Sequence, residues 1–171
     1  YTCSVPFSSL EIHNNDFFVC CPSWLPKSFK RTDYTLESVW KSKELEDIRS
    51  SLLDGTFKYC DKTQCPFLSK LLNDGVVSNP ITKKSDFQYE GVTSKFDGPE
   101  VLMLNFDNTC NYKCPSCRVD LIVLDSKGIK NVEKTIDEID EHYSKDVVKL
   151  YITGSGDPFV SVGFRNYLRN F

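Results

Sequence analysis

Residues 101–117 read VLMLNFDNTCNYKCPSC, and the fold turns on this stretch. Val101 to Phe106 is a short apolar run without helical period, bounded by turn residues, and it predicts a buried strand. That strand delivers the chain into a loop where Cys110, Cys114 and Cys117 stand at C-x3-C-x2-C spacing. Three thiolates so close together can converge on one metal centre. They are one ligand short of the four that close a structural zinc or Fe–S site. The fourth must come from elsewhere in the chain or from a small molecule.

A second motif lies downstream. Thr153-Gly154-Ser155-Gly156-Asp157-Pro158 follows another apolar run, Val147 to Ile152. The string C-N-Y-K-C-P-S-C after a strand resembles the signature of the radical S-adenosylmethionine (radical SAM) enzymes. In that family three cysteines hold a [4Fe–4S] cluster, and its fourth iron binds the amino and carboxylate groups of S-adenosylmethionine. The downstream segment is similar to the family's Gly-Gly-Glu-Pro turn, with Ser155 for the first Gly and Asp157 for the Glu. The resemblance covers residues 99–171. It implies Cys110, Cys114 and Cys117 as cluster ligands, with Gly154, Ser155, Gly156 and Asp157 positioning the amino end of S-adenosylmethionine.

Composition sets the bounds. A chain of 171 residues makes one ordinary domain or two small ones, and 40% hydrophobic content with 13% aromatics supports a core. A net charge of −3 gives no electrostatic reason to expect nucleic acid. No apolar run approaches the ~18 residues of a membrane helix, so no membrane partner is expected. The chain begins at Tyr1 without a signal-peptide pattern, from which a processed or trimmed start is expected. The eight cysteines could pair as disulfides on paper. The loop cysteines are spaced as ligands, however, and adjacent Cys20 and Cys21 cannot easily bond each other. Metal binding in a reducing cytoplasm is the expectation.

The N-terminal region has its own logic. Ser9-Leu10-Glu11-Ile12 alternates like a strand, residues 13–16 form a polar turn, and Phe17 to Cys21 is a second strand. This is a hairpin by turn chemistry, with His13 expected in water on the turn. It brings Cys3 within reach of Cys20 and Cys21. A helix is expected over 35–53: Thr35 can cap it, Leu36, Trp40, Ile48 and Leu52 repeat at multiples of four, and Gly55 stops it. Cys60 and Cys65 follow in a C-x4-C turn, so the helix separates two cysteine groups. Residues 1–67 resemble the auxiliary-cluster module of radical SAM enzymes, called SPASM or, in its shorter form, twitch. That resemblance implies that Cys3, Cys20, Cys60 and Cys65 hold an auxiliary Fe–S cluster, with Cys21 the alternative to Cys20. In the family the module follows the catalytic core; here it precedes it, as in a fusion or a rearranged relative.

Residues 68–98 are rich in turn formers and read as a linker. Beyond Cys117, Asp120 to Leu124 is a short apolar piece. Residues 130–144 predict an amphipathic helix with Val132, Ile136, Ile139 and Tyr143 on one face and His142 near its end. The strand at 147–152 and a helical pattern with Phe164, Leu168 and Phe171 complete a strand–helix–strand–helix order, which argues for parallel strands.

The expected fold class is therefore α/β: the start of a radical SAM partial (β/α) barrel over 99–171, preceded by a small α+β SPASM/twitch-like domain over 1–67. The resemblance implies a cytoplasmic radical SAM enzyme, or a fragment of one. Its partners would be S-adenosylmethionine, an electron donor and an unknown peptide or small-molecule substrate. Two strand–helix units are too few to close a barrel, so full catalytic power is not expected of these residues alone. The alternative is a non-catalytic zinc or Fe–S structural module.

Overall fold

The strand expected at 101–106 forms as Val101–Asn105, with burial alternating along it. The computed structural model describes residues 1–87, 98–143, 147–152 and 156–170. Within them the first elements are β1 (Thr2–Cys3), α1 (Val5–Ser8), β2 (Ser9–His13), β3 (Asp16–Phe18), β4 (Phe29–Lys30), α2 (Leu36–Trp40) and α3 (Lys43–Leu53). There follow α4 (Pro66–Asp74), β5 (Ile81–Thr82), a 3-10 turn at Lys84–Asp86, β6 (Val101–Asn105), α5 (Ser126–His142), β7 (Lys149–Ile152) and α6 (Val162–Asn170).

Five strands form one mixed sheet in the order β4-β3-β2-β6-β7. β2 and β7 both run parallel to β6, while β3 and β4 are antiparallel additions at one side. The register sets Leu10, Leu102 and Leu150 in one row and Ile12, Leu104 and Ile152 in the next. Phe17 and Phe29 extend the second row. These rows face one way because side chains on a strand alternate. They share a core with Val132, Ile136 and Ile139 of α5 and Phe164 and Tyr167 of α6. The architecture is α/β, and no barrel closes among the described residues.

The boundary expected at 68–98 does not separate two sheets. Leu10 and Ile12, both wholly buried, alternate in step with Leu102 and Leu104, so parallel pairing of β2 with β6 buries both pairs at once. The expected linker is also partly structured. Pro66 sits at the start of α4, where its missing N–H costs nothing, and Gly75 ends the helix at φ 67°. β5 then pairs with β1, matching Thr2 with Thr82 and Cys3 with Ile81. Residues 88–97 of that linker lie outside the described residues.

The helix expected over 35–53 is two helices. Thr35 caps α2 in a reciprocal pair, Ser38 N–H donating to Thr35 Oγ1 and Thr35 N–H to Ser38 Oγ. Ser42 then starts α3, accepting from Leu45 N–H at 3.2 Å while its hydroxyl donates to the Val39 carbonyl at 2.8 Å. Buried Arg49 joins the pieces, donating to the carbonyls of Pro6 and Trp40. α5 begins earlier than residue 130 because Asp125 caps it, accepting from Gly128 N–H at 2.7 Å. Its four expected inward residues are all buried, and His142 is exposed. On α6, Tyr167 rather than Leu168 joins Phe164 in the core, and Leu168 is 46% exposed. Phe171 lies outside the described residues.

The Tyr143 hydroxyl donates to the carbonyl of Leu36, tying α5 to α2. Replacing Tyr143 by Phe should cost about 1–3 kcal/mol, because the buried carbonyl loses its partner. Urea unfolding measures this, and an unchanged midpoint would mean that the bond contributes nothing. Burial raises the Tyr143 phenol above its ordinary value, with Glu37 adding to the rise and Arg49 opposing it. A raised folded-state value means that the stabilisation is complete below the unfolded tyrosine range near pH ~10 and is lost as pH climbs beyond it. The Tyr143→Phe variant should lose this part of the alkaline decline.

Candidate metal centres

Four cysteines from separate segments meet at one cavity. Cys3 is placed by the pairing of β1 with β5. Cys20 lies just beyond β3, where the hairpin returns the chain. Cys60 and Cys65 bracket a turn whose centre is Asp61, with a carboxylate that accepts from the N–H groups of Thr63 and Gln64, each at 2.9 Å. The Asp61 N–H donates to the Trp24 carbonyl at 2.7 Å and so ties this turn to the loop after Cys20. Cys3, Cys20, Cys60 and Cys65 all line one small cavity whose remaining wall is apolar, including Trp24, Leu25, Leu52, Phe57 and Leu68. Cys21 is not in that wall; its carbonyl accepts from Trp24 and Leu25. Of the adjacent pair, Cys20 is the one that faces the cavity.

Burial pushes the Cys3 thiol up to about 11 and the Cys60 thiol up to about 12, and raises Cys20 as well. Neighbouring thiols add to the rise: Cys65 at Cys3, where a backbone hydrogen bond at Val5 opposes it, Cys3 and Cys60 at Cys20, and Cys3 and Cys65 at Cys60. A single buried cysteine is usually a small apolar filler. Four that share one apolar cavity and repel when ionised form a setting that a positive centre would stabilise. Among the described residues, no group of three or more His, Cys, Asp or Glu side chains is placed to hold a metal ion. One zinc would need sulfurs converging at Zn–S distances of about 2.3 Å.

The loop after β6 presents the other three thiols. Cys110 is buried and exchanges backbone hydrogen bonds with Ile122, at 2.8 and 3.2 Å, so the apolar piece at 120–124 braces the base of the loop. The N–H groups of Cys117 and Arg118 both donate to the Cys114 carbonyl, giving a tight turn on which Cys114 and Cys117 are exposed. The Arg118 guanidinium donates to the Asn108 carbonyl at 3.2 Å and to the Cys117 sulfur at 3.4 Å. That bond to Cys117, together with the nearby Cys110 and Cys114 sulfurs, raises the guanidinium above its ordinary value. All three thiols thus lie near one cation, with two of them open to an outside ligand.

The glycine segment reaches this loop. Gly154 and Ser155 lie outside the described residues. At Gly156 a Cβ would stand 2.6 Å from the Asp107 carbonyl oxygen and 2.7 Å from that of Thr109, so no side chain fits. Asp157 N–H donates to the Thr109 carbonyl at 2.7 Å, and its carboxylate accepts from Phe159 N–H at 2.9 Å. Asp157 therefore shapes the turn through both backbone and side chain. Two buried residues that the sequence reading passed over fasten the arrangement. Asp107 accepts from Thr109 N–H and from the Ser161 hydroxyl, and Ser161 Oγ accepts from Phe164 N–H at the start of α6. The available signals were an Asp-Asn-Thr turn closing an apolar strand and a serine heading a helical pattern.

Comparison with protein-family models, with curated proteins and with solved structures gives no match to this chain. Among the described residues, no helix is long and apolar enough to cross a membrane.

Proposed function

We infer that the chain is part of a radical SAM enzyme, with Cys110, Cys114 and Cys117 as ligands of a [4Fe–4S] cluster and Cys3, Cys20, Cys60 and Cys65 as ligands of an auxiliary Fe–S cluster. The observation that carries this reading is the docking of Gly156 and Asp157 against the backbone of Asp107–Thr109. Two motifs far apart in sequence thereby share one site at the C-terminal ends of parallel strands, where α/β proteins bind ligands. The four thiols around one apolar cavity support the auxiliary centre.

When bound, the loop cluster would supply the electron that cleaves S-adenosylmethionine to methionine and a 5′-deoxyadenosyl radical, which abstracts hydrogen from the substrate. The chain's own residues bind and orient. Cys110 anchors the loop from a buried position, while Cys114 and Cys117 hold the outward side. Arg118 offsets the negative charge of thiolate ligands. The absence of a side chain at Gly156 lets the following turn press against the loop, and the Asp107–Ser161 bond keeps it there. Among the described residues the five strands leave the sheet open, so further strands would be needed to shield a radical.

Anaerobic reconstitution with iron and sulfide tests this reading. Brown protein carrying iron and sulfide in equal amounts is expected. Colourless protein that instead binds stoichiometric zinc would favour the structural module.

A further inference from the structure

The sheet face turned away from α5 carries a polar cluster. His13, expected on a turn in water, is the last residue of β2 and stands opposite Asn105, the last residue of β6. Its Nε2 lies 3.3 Å from Glu11 Oε2 and 3.3 Å from the Asn105 amide nitrogen. The Glu11 side chain is only 9% exposed, whereas that of His13 is 34% exposed. Phe18 packs edge-on against the imidazole at 4.9 Å, and Arg31 donates to the His13 carbonyl. Among the described residues, Asp16 of β3 also interacts electrostatically with His13, and Lys30 pairs with Asp16.

Hydrogen-bond chemistry decides where the imidazole proton sits. A carboxylate only accepts, so Nε2 must carry the hydrogen that binds Glu11. An Asn105 amide nitrogen facing the same Nε2 would then oppose donor to donor. Turning the amide over removes the conflict and places its oxygen near Nε2–H. In either orientation one amide atom of Asn105 is buried without a partner; as placed, it is Oδ1. With Nε2 protonated, Nδ1 holds the free lone pair, and it has no hydrogen-bond partner among the described residues.

We propose that His13 and Glu11 form a proton-transfer site at the C-terminal ends of β2 and β6, with His13 Nδ1 as the base and Glu11 as the positioning residue. The ligand class is a polar small molecule or peptide presenting a hydroxyl or ammonium proton. The ligand's X–H bond breaks, the proton goes to Nδ1, and the bonding pair stays on X. Nε2–H remains on the ring, where Glu11 offsets the imidazolium charge. Return of the proton to the product restores the neutral ring. From Asn105 the chain runs directly through Phe106 to Asp107 and the cysteine loop, so the base lies at the same end of the sheet. The inference rests on the reading above only in assigning both sites to one substrate.

Ethoxycarbonylation of the reconstituted full chain by diethyl pyrocarbonate at pH 8 tests it, with sites mapped by mass spectrometry and exposed His142 as the internal reference. His13 should be modified at Nδ1, and Glu11→Gln should slow that reaction about threefold or more relative to His142. Nitrogen-15 spectra should show neutral His13 as the Nε2–H form in the native chain and as a mixture in the variant. An unreactive His13 beside a reactive His142, modification at Nε2, or an Nδ1–H form in the native chain would each overturn the proposal. The native spectrum decides even if the variant does not fold. Iron content is measured separately, so failure of the cluster reading would leave the His13 result distinct.

Discussion

Replacing Cys110, Cys114 and Cys117 together by alanine should remove about half of the bound iron and leave the fold of residues 1–67 intact. The two cysteine groups are built on different supports. The loop thiols hang from the end of β6 and are braced by the Cys110–Ile122 bridge. The other four are held by β1, the hairpin and the Cys60–Cys65 turn, and they line their own cavity. Among the described residues, no backbone hydrogen bond of the second group runs to the loop at 110–117. Iron analysis against protein concentration, with circular dichroism for the fold, gives the answer. Loss of all the iron, or of none, would defeat the division into four ligands and three.

The second large effect is expected at Gly156. A methyl group there would sit 2.6 Å from one carbonyl oxygen and 2.7 Å from another, and both belong to backbone rather than to a side chain that could swing aside. Either the cysteine loop or the glycine turn must move. Overpacking of this kind costs about 1–3 kcal/mol. Its functional consequence should be greater, because Gly156 and Asp157 and the loop at 110–117 are proposed to grip the same ligand. Gly156→Ala should weaken S-adenosylmethionine binding at least tenfold while iron loading stays near the wild-type level. Equilibrium dialysis with labelled S-adenosylmethionine measures the first and iron analysis the second. Unchanged binding would show that the docked turn plays no part in holding the cofactor.

Local periodicity carried much of the fold. The hairpin expected over 9–21, whose second strand ends at Phe18 rather than Cys21, the cap at Thr35, the inward face of α5 and the strand–helix alternation from β6 onward are all short-range patterns, and the structure contains each of them. Pairing between remote strands leaves no such trace. Leu10 and Ile12 alternate no differently whether their neighbour is β3 alone or also β6, so the single sheet uniting the two ends of the chain was not legible. The break at Ser42 was hidden because Leu36, Trp40, Ile48 and Leu52 keep one spacing through it, and only the serine's capping chemistry marks the restart. α4 was missed because Cys65-Pro66 drew a ligand reading when the same proline also opens a helix.

The site divides in the same way. Two cysteine groups on either side of a helical stretch were visible as spacing, but the apolar cavity they line is a property of packing. That Cys20 rather than Cys21 faces it depends on the twist of the chain beyond β3. Glu11 and His13 left a weak signal: with Ser9 they make the polar face of a strand whose other face is Leu10 and Ile12. Its meaning depends on Asn105, which arrives from β6. Gly154 and Ser155, read from the same turn as Gly156, lie outside the described residues.

The central claim is that three loop cysteines leave one iron of a cluster open for S-adenosylmethionine. Electron paramagnetic resonance of the reduced, reconstituted protein tests it most directly. Adding S-adenosylmethionine should perturb the cluster signal in the native chain and leave that of the Cys110/Cys114/Cys117 triple alanine variant unaltered. A native signal unchanged by S-adenosylmethionine, in protein fully loaded with iron, would contradict the account and leave a structural iron–sulfur module in its place.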